Sequence, residues 1–223
     1  GNKASLQIEG QDVNVIINSA NTQTGDAGND LIYTGNGNDN ISPKGGKNTI
    51  TVDGTGSKTI NLGTTKGTEN TIDCTNTSAT INLNPDSTYT ATPTFTKNGT
   101  NLEITFKKGN DTIKTTLTGY YGDGANKNLQ IGGKAVSVAA NGQATIGTTV
   151  YGTSGANTIT LGGDATVANG AGGNDKITGS SVSNKINAGA GNDNIDVTQG
   201  GTNTISTGKG DDSRSEERRV GKE

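Results

Sequence analysis

The chain has 223 residues, only 27% of them apolar and 3% aromatic, with 36 glycines and a formal net charge of −3. An ordinary globular domain of this length needs a larger apolar core to offset the entropy of ordering its chain, and a disordered chain usually carries more net charge. What remains is a repetitive stack, in which each turn buries one or two apolar residues against its neighbours.

In chain order, residues 1–20 read as a strand segment. Its LQIEGQDVNV at 6–15 returns as LQIGGKAVSV at 129–138, an offset of 123 positions. Each copy precedes a glycine-rich block, so the chain reads as one full unit and the start of a second. The first block spans 21–83. GDAGNDLIY at 25–33 runs straight into TGNGNDNIS at 34–42, and isoleucines recur at Ile32, Ile41, Ile50, Ile60, Ile72 and Ile81. Alternation within each step, as in Ile50/Val52, Ile60/Leu62, Ile72/Cys74 and Ile81/Leu83, predicts short strands that turn both members inward. Cys74 then reads as a small core residue rather than a nucleophile. It is the only cysteine, so no internal disulfide framework exists, and no histidine is available to activate it.

The texture changes over 86–127. TFTKNGTNLEITF at 94–106 alternates around Asn98-Gly99, a hairpin signal, and KGND at 108–111 marks a second turn. Five of the seven aromatics fall here: Tyr89, Phe95, Phe106, Tyr120 and Tyr121. After a strand segment at 128–147, the second block runs over 148–213, with Val150, Ile159, Ile177, Ile186, Ile195 and Ile205 in the apolar position. It contains GAGGNDKIT at 170–178 and AGAGNDNID at 188–196, and breaks off inside another repeat. The last ten residues, RSEERRVGKE at 214–223, hold all three arginines and resemble the conceptual translation of a DNA-sequencing adapter. They are read as an artefact, and the chain as a fragment of a longer protein.

The nonapeptides resemble the GGxGxDxUx repeat of RTX proteins, where U is a large aliphatic residue. Residues 86–127 resemble the haemolysin-type calcium-binding-related hairpin module that accompanies such repeats. The resemblance implies an all-β fold, with parallel β-roll (β-solenoid) blocks separated by an antiparallel β-hairpin module. It also implies Ca²⁺ as the ligand. Ca²⁺ takes six to eight oxygen ligands from carboxylates and backbone carbonyls, and glycine lets a tight loop aim several carbonyls at one point. In the family two nonapeptides make one coil, and sites form between loops on the same side.

Carried onto this sequence, the resemblance assigns metal binding to Asp175, Asp193 and Asp212 in one row, with Gly173, Gly189, Gly191, Gly208 and Gly210. In the first block it assigns Asp30 and Asp39, with Gly25, Gly28, Gly35 and Gly37. Asn157 stands at the head of the aspartate row, while the opposite row has Asn184 and Asn203. Asp30 and Asp39 fall on opposite sides, followed on the same side by Asn48 and by a degenerate loop near Lys58, so their sites are expected to be weaker or incomplete. Asparagines stacked in a ladder without metal are the competing arrangement.

No phosphate-binding Gly-x-x-x-x-Gly-Lys-Ser/Thr occurs. The acidic balance and scattered lysines argue against nucleic acid, and no apolar run approaches membrane-spanning length. With no histidine and no arginine before residue 214, catalysis within the chain is not expected. The resemblance implies a calcium-binding structural segment of a large bacterial secreted or surface adhesin-like protein, folding on Ca²⁺ after export by type I secretion machinery. The alternative is the calcium-binding accessory region of an RTX hydrolase or toxin. Localisation is expected to be extracellular or at the cell surface, with any host or matrix ligand unidentified.

Overall fold

The computed structural model describes residues 3–8, 11–17, 22–63, 65–73, 75, 77–89, 93–122 and 125–216, and of residues 3–17 the backbone alone. The described elements are all strands, in two units: Gly1–Val136 and Ser137–Glu223. No described helix is long and apolar enough to cross a membrane.

In the first unit the repeats wind as a parallel roll. Strands β4 (Asn29–Tyr33), β6 (Lys47–Thr51) and β8 (Glu69–Asp73) stack in one sheet. The intervening β3 (Thr22–Thr24), β5 (Asp39–Ser42), β7 (Ser57–Asn61) and β9 (Thr80–Asn84) stack in a second. Successive strands thus alternate between sheets, and two repeats make one coil. Ile32, Ile50 and Ile72 stand in one column and Ile41 and Ile60 in another, all fully buried. Each such side chain contributes about 1.5–3 kcal/mol by leaving water, which is how so apolar-poor a chain holds together. Val52, Leu62 and Leu83 fill the second inward positions; Cys74 lies outside the described residues.

The hairpin module joins the first unit by extending one sheet. Strands β10 (Thr94–Asn98), β11 (Asn101–Lys108) and β12 (Asp111–Thr118) form an antiparallel meander. Gly99 and Gly109 hold the first place in its two-residue turns, with φ of 61° and 57°, which a side chain would resist. β12 then pairs in parallel with β8, setting Thr115 beside Asn70. Phe95, Phe106 and Tyr120 are buried, so most of the aromatics supply this module's core.

The two LQI copies fold alike. β1 (Lys3–Ile8) pairs antiparallel with β2 (Gln11–Ile17), setting Leu6 against Val13, and β13 (Leu129–Ile131) pairs with β14 (Lys134–Val138), setting Leu129 against Val136. Each opening segment is therefore a hairpin rather than one strand.

In the second unit β15 (Ala144–Ile146) and β16 (Thr149–Tyr151) form a further hairpin. The roll follows, with β16, β18 (Val167–Asn169), β20 (Lys185–Ala190) and β22 (Thr204–Lys209) in one parallel sheet. β17 (Thr158–Thr160), β19 (Lys176–Thr178), β21 (Asn194–Val197) and β23 (Ser213–Glu216) form the other. Val150, Ile159, Ile177, Ile186 and Ile195 share one core, and Ala168 fills the rung between Val150 and Ile186. β23 carries the strand pairing to Glu216, but Arg214 stands in the column of Ile159, Ile177 and Ile195 and every side chain of β23 is exposed.

Candidate metal centre

Stacking parallel coils places the loop before each strand over the loop one coil earlier. In the second unit this puts Asn157, Asp175, Asp193 and Asp212 in a file along one side. The file is tied together by its own backbone. The N–H of Asn157 donates to Asp175 Oδ1 at 2.8 Å, that of Asp175 to Asp193 Oδ1 at 2.8 Å, and that of Asp193 to Asp212 Oδ1 at 2.9 Å. One carboxylate oxygen per rung is therefore spent on a structural bond.

The other oxygen is not. Asp175 Oδ2 and Asp193 Oδ2 are buried without a hydrogen-bond partner, on residues only 2% exposed. A buried unpaired carboxylate oxygen is costly, and here two follow each other in one file. Burial pushes the Asp175 carboxyl up to about 6; the N–H of Asn157 partly opposes this, and the charge of Asp193 adds to it. Both features fit residues arranged around a cation.

Backbone oxygens converge on the same places. A Cβ on Gly170 would overlap Asp175 Oδ2 and the Ala188 carbonyl, and one on Gly152 would overlap Asn157 Oδ1 and the Gly170 carbonyl. At the Asn157 and Asp175 rungs, then, the amide or carboxylate oxygen of the file and a carbonyl from the next coil lie against a bare glycine Cα. In the first unit Gly25 is crowded in the same way, by Asp30 Oδ2 and the Pro43 carbonyl. Among the described residues no three acidic side chains gather at one point. A cation held here draws most of its ligands from backbone carbonyls.

Asparagine loops close themselves. Asn184 Nδ2 donates to the Ser180 carbonyl at 3.1 Å, the Val182 carbonyl at 2.6 Å and Asn203 Oδ1 at 2.9 Å. In the first unit Asp30 N–H donates to Asn48 Oδ1 at 3.0 Å, while Asn48 Nδ2 donates to the Gly45 carbonyl at 2.9 Å and Asn70 Oδ1 at 3.1 Å. An amide N–H₂ thus satisfies inward carbonyls that a carboxylate can only repel. These files are the hydrogen-bonded asparagine ladder that competes with a metal row.

The candidate residues sort accordingly. Asp175, Asp193 and Asp212 come together in one file; Asp30 heads a file continued by Asn48 and Asn70; Asp39 lies on the opposite side and faces Lys58. Gly37, Gly173, Gly189, Gly191, Gly208 and Gly210 take positive φ, whereas Gly28 and Gly35 are not among the positive-φ glycines. Gly28 instead donates its N–H to Asp26 Oδ1, and Gly35 offers its carbonyl to Lys58.

Sequence reasoning missed the asparagine before four of the five candidate aspartates, Asp212 being the exception. Asn29, Asn38, Asn174 and Asn192 each accept, through Oδ1, the backbone N–H one coil later, at 2.8–3.0 Å. The recurrent Gly-Asn-Asp was the available signal, since a residue that only punctuates a turn has no need to be asparagine every time.

The profile described as "RTX calcium-binding nonapeptide repeat (4 copies)" matches residues 18–50 and 169–200. No curated protein sequence matches the chain. Among solved structures, the chain is similar to the extracellular lipase LipA from Serratia marcescens, at 16% identity and a TM-score of 0.24. That match covers 78% of this chain and 27% of the lipase, so the chain spans little more than a quarter of the other's length. With aliphatic columns, glycine loops and an aspartate file all in place, residues 18–50 and 169–200 carry RTX calcium-binding nonapeptide repeats, which over the described residues 22–50 and 169–200 wind as a parallel β-roll.

Proposed function

We propose that this chain is a structural segment of a secreted or surface-attached protein, whose second unit folds fully only when Ca²⁺ fills the Asn157–Asp175–Asp193–Asp212 file. The observation that carries this is the pair of buried, unpartnered oxygens, Asp175 Oδ2 and Asp193 Oδ2, one rung apart. In the metal-free chain burial, and after it the charge of Asp193, raises the proton affinity of Asp175.

Asp175, Asp193 and Asp212 would hold Ca²⁺ through the carboxylate oxygens not spent on the backbone, together with carbonyls such as that of Ala188. Bound calcium supplies positive charge and satisfies those oxygens. Because these ligands assemble only in the stacked coil, binding energy becomes folding energy. An export substrate gains from that coupling, remaining unfolded where calcium is scarce and closing outside the cell. On this reading the chain has no catalytic role of its own, and belongs to an adhesin-like protein exported by type I machinery.

Asp193→Ala tests the assignment, because Asp193 bonds Asp175 on one side and reaches Asp212 on the other. Isothermal titration with Ca²⁺ is expected to show affinity at least tenfold weaker than wild type, with one or more ions lost. Unchanged stoichiometry and affinity in a folded Asp193→Ala chain would exclude this file as the calcium site.

A further inference from the structure

Lys58 is fully buried, in β7, just after a loop that the repeat pattern leaves degenerate. It occupies the place of the aspartate: Asp39 and Lys58 are register partners in β5 and β7, as Asp175 and Asp193 are in the other unit. Its side chain turns back into the loop one coil earlier. Lys58 Nζ donates to the Gly35 carbonyl at 2.5 Å, the Gly37 carbonyl at 2.7 Å and Asp39 Oδ2 at 2.5 Å. An ammonium has three N–H bonds and no acceptor, so all three are used and every contact is an oxygen. The side chains of Lys58 and Asp39 are 0% and 2% exposed, which makes this a fully enclosed ion pair.

These are the kinds of oxygen that a calcium loop offers: two glycine carbonyls from one turn and the carboxylate that ends it. The equivalent carbonyls of the asparagine loop, Ser180 and Val182, receive the Asn184 amide. In both of these loops two carbonyls are directed inward, and what differs is the donor that meets them. Replacing the second aspartate by lysine removes one carboxylate ligand and supplies the cation in the same step. Its single charge matches the one carboxylate left, where Ca²⁺ would leave an excess.

We infer that the Lys58 ammonium is a tethered cation occupying the calcium position of the 34–39 loop, so that this rung closes without metal and takes up no Ca²⁺. Its stability is then set by folding alone, while the aspartate file of the second unit answers to calcium. The inference rests on the calcium reading of the repeats only for what Lys58 replaces.

The test is Lys58→Asp in the full chain, which restores a carboxylate opposite Asp39. In saturating Ca²⁺ the variant is expected to bind one more calcium per chain than wild type, and to lose hydrogen-exchange protection over 39–42 and 57–61 when calcium is withdrawn. A folded variant with no added calcium would overturn the inference. Amine acetylation of the wild-type chain in saturating Ca²⁺ gives a second arm that needs no variant to fold. Lys58 is expected to stay unmodified while the exposed Lys47 and Lys66 react; labelling of Lys58 at their rate would mean that calcium displaces the ammonium, and would equally overturn it. In the same titration Asp193→Ala reports on the second-unit file, so failure there is read separately from failure at Lys58.

Discussion

The two units use the same turn and satisfy it with opposite chemistry. In the second, Asp175 and Asp193 stack carboxylate over carboxylate, each with a buried oxygen left unpaired. In the first, Asp39 meets the Lys58 ammonium on one side of the roll, and Asn48 bonds Asn70 on the other. The backbone path alone therefore does not make a calcium site. One residue per coil decides whether the inward carbonyls need an external cation, carry their own, or are closed by an amide. The coil also reflects the difference. Ladder bonds in the second unit, those between Asn184 and Asn203 included, link residues 18 or 19 apart, whereas those around Asn70 and Asn84 link residues 22 and 23 apart, so the first unit has the longer coils there.

The sharpest way to break this comparison is to remove the internal cation. Lys58→Met leaves Asp39 as a buried carboxylate without its partner, and removing one member of a buried pair costs about 3–5 kcal/mol. Urea unfolding at saturating Ca²⁺ should show that loss in the first unit, with calcium affinity of the second unit unchanged. A loss below about 1 kcal/mol, the scale of an exposed pair, would mean the pair is not enclosed in solution.

Gly170→Ala has a smaller effect and acts only in the second unit. The added Cβ overlaps Asp175 Oδ2 and the Ala188 carbonyl, so the rung must shift, at about 1–3 kcal/mol by analogy with overpacking. Calorimetry should show weaker calcium binding together with a lower melting temperature. Equal affinity would place the ion away from this cradle.

The mildest test is pH. Asp175 has a folded pKa of about 6 against an ordinary 3.8, so without metal the native state holds its proton longer than the unfolded chain does. The contribution of this group to metal-free stability is present below pH ~4 and is lost as pH rises through about 6. Calcium reverses the trend, because binding must expel that proton: affinity should rise with pH up to about 6 and then level off. Melting curves in chelator and calcium titrations across this range should therefore run in opposite directions.

The sequence made the roll legible because isoleucine columns recur at nearly fixed spacing, and Ile32, Ile50, Ile159 and Ile177 occupy the core as that spacing predicts. The aspartate file was legible for the same reason, since register follows once the columns are aligned. Ala168 was not, because a buried alanine in Val167–Asn169 carries no apolar signal of its own. Lys58 was readable only as a gap in the pattern. A lysine in a glycine loop looks solvated until the coil closes over it and three oxygens prove to be within reach. The hairpins of the opening segments were hidden by short runs, which alternate alike whether they pair with a neighbour in sequence or with the next coil.

The most direct test of the central claim is hydrogen exchange, followed by mass spectrometry, on the full chain with saturating Ca²⁺ and again after EDTA. Chelation is expected to expose amides over 157–197, where the aspartate file lies, while 39–42 and 57–61 around the Asp39–Lys58 pair stay protected. Equal loss of protection in both regions would contradict a lysine-closed rung, and full retention in both would contradict a calcium-dependent file.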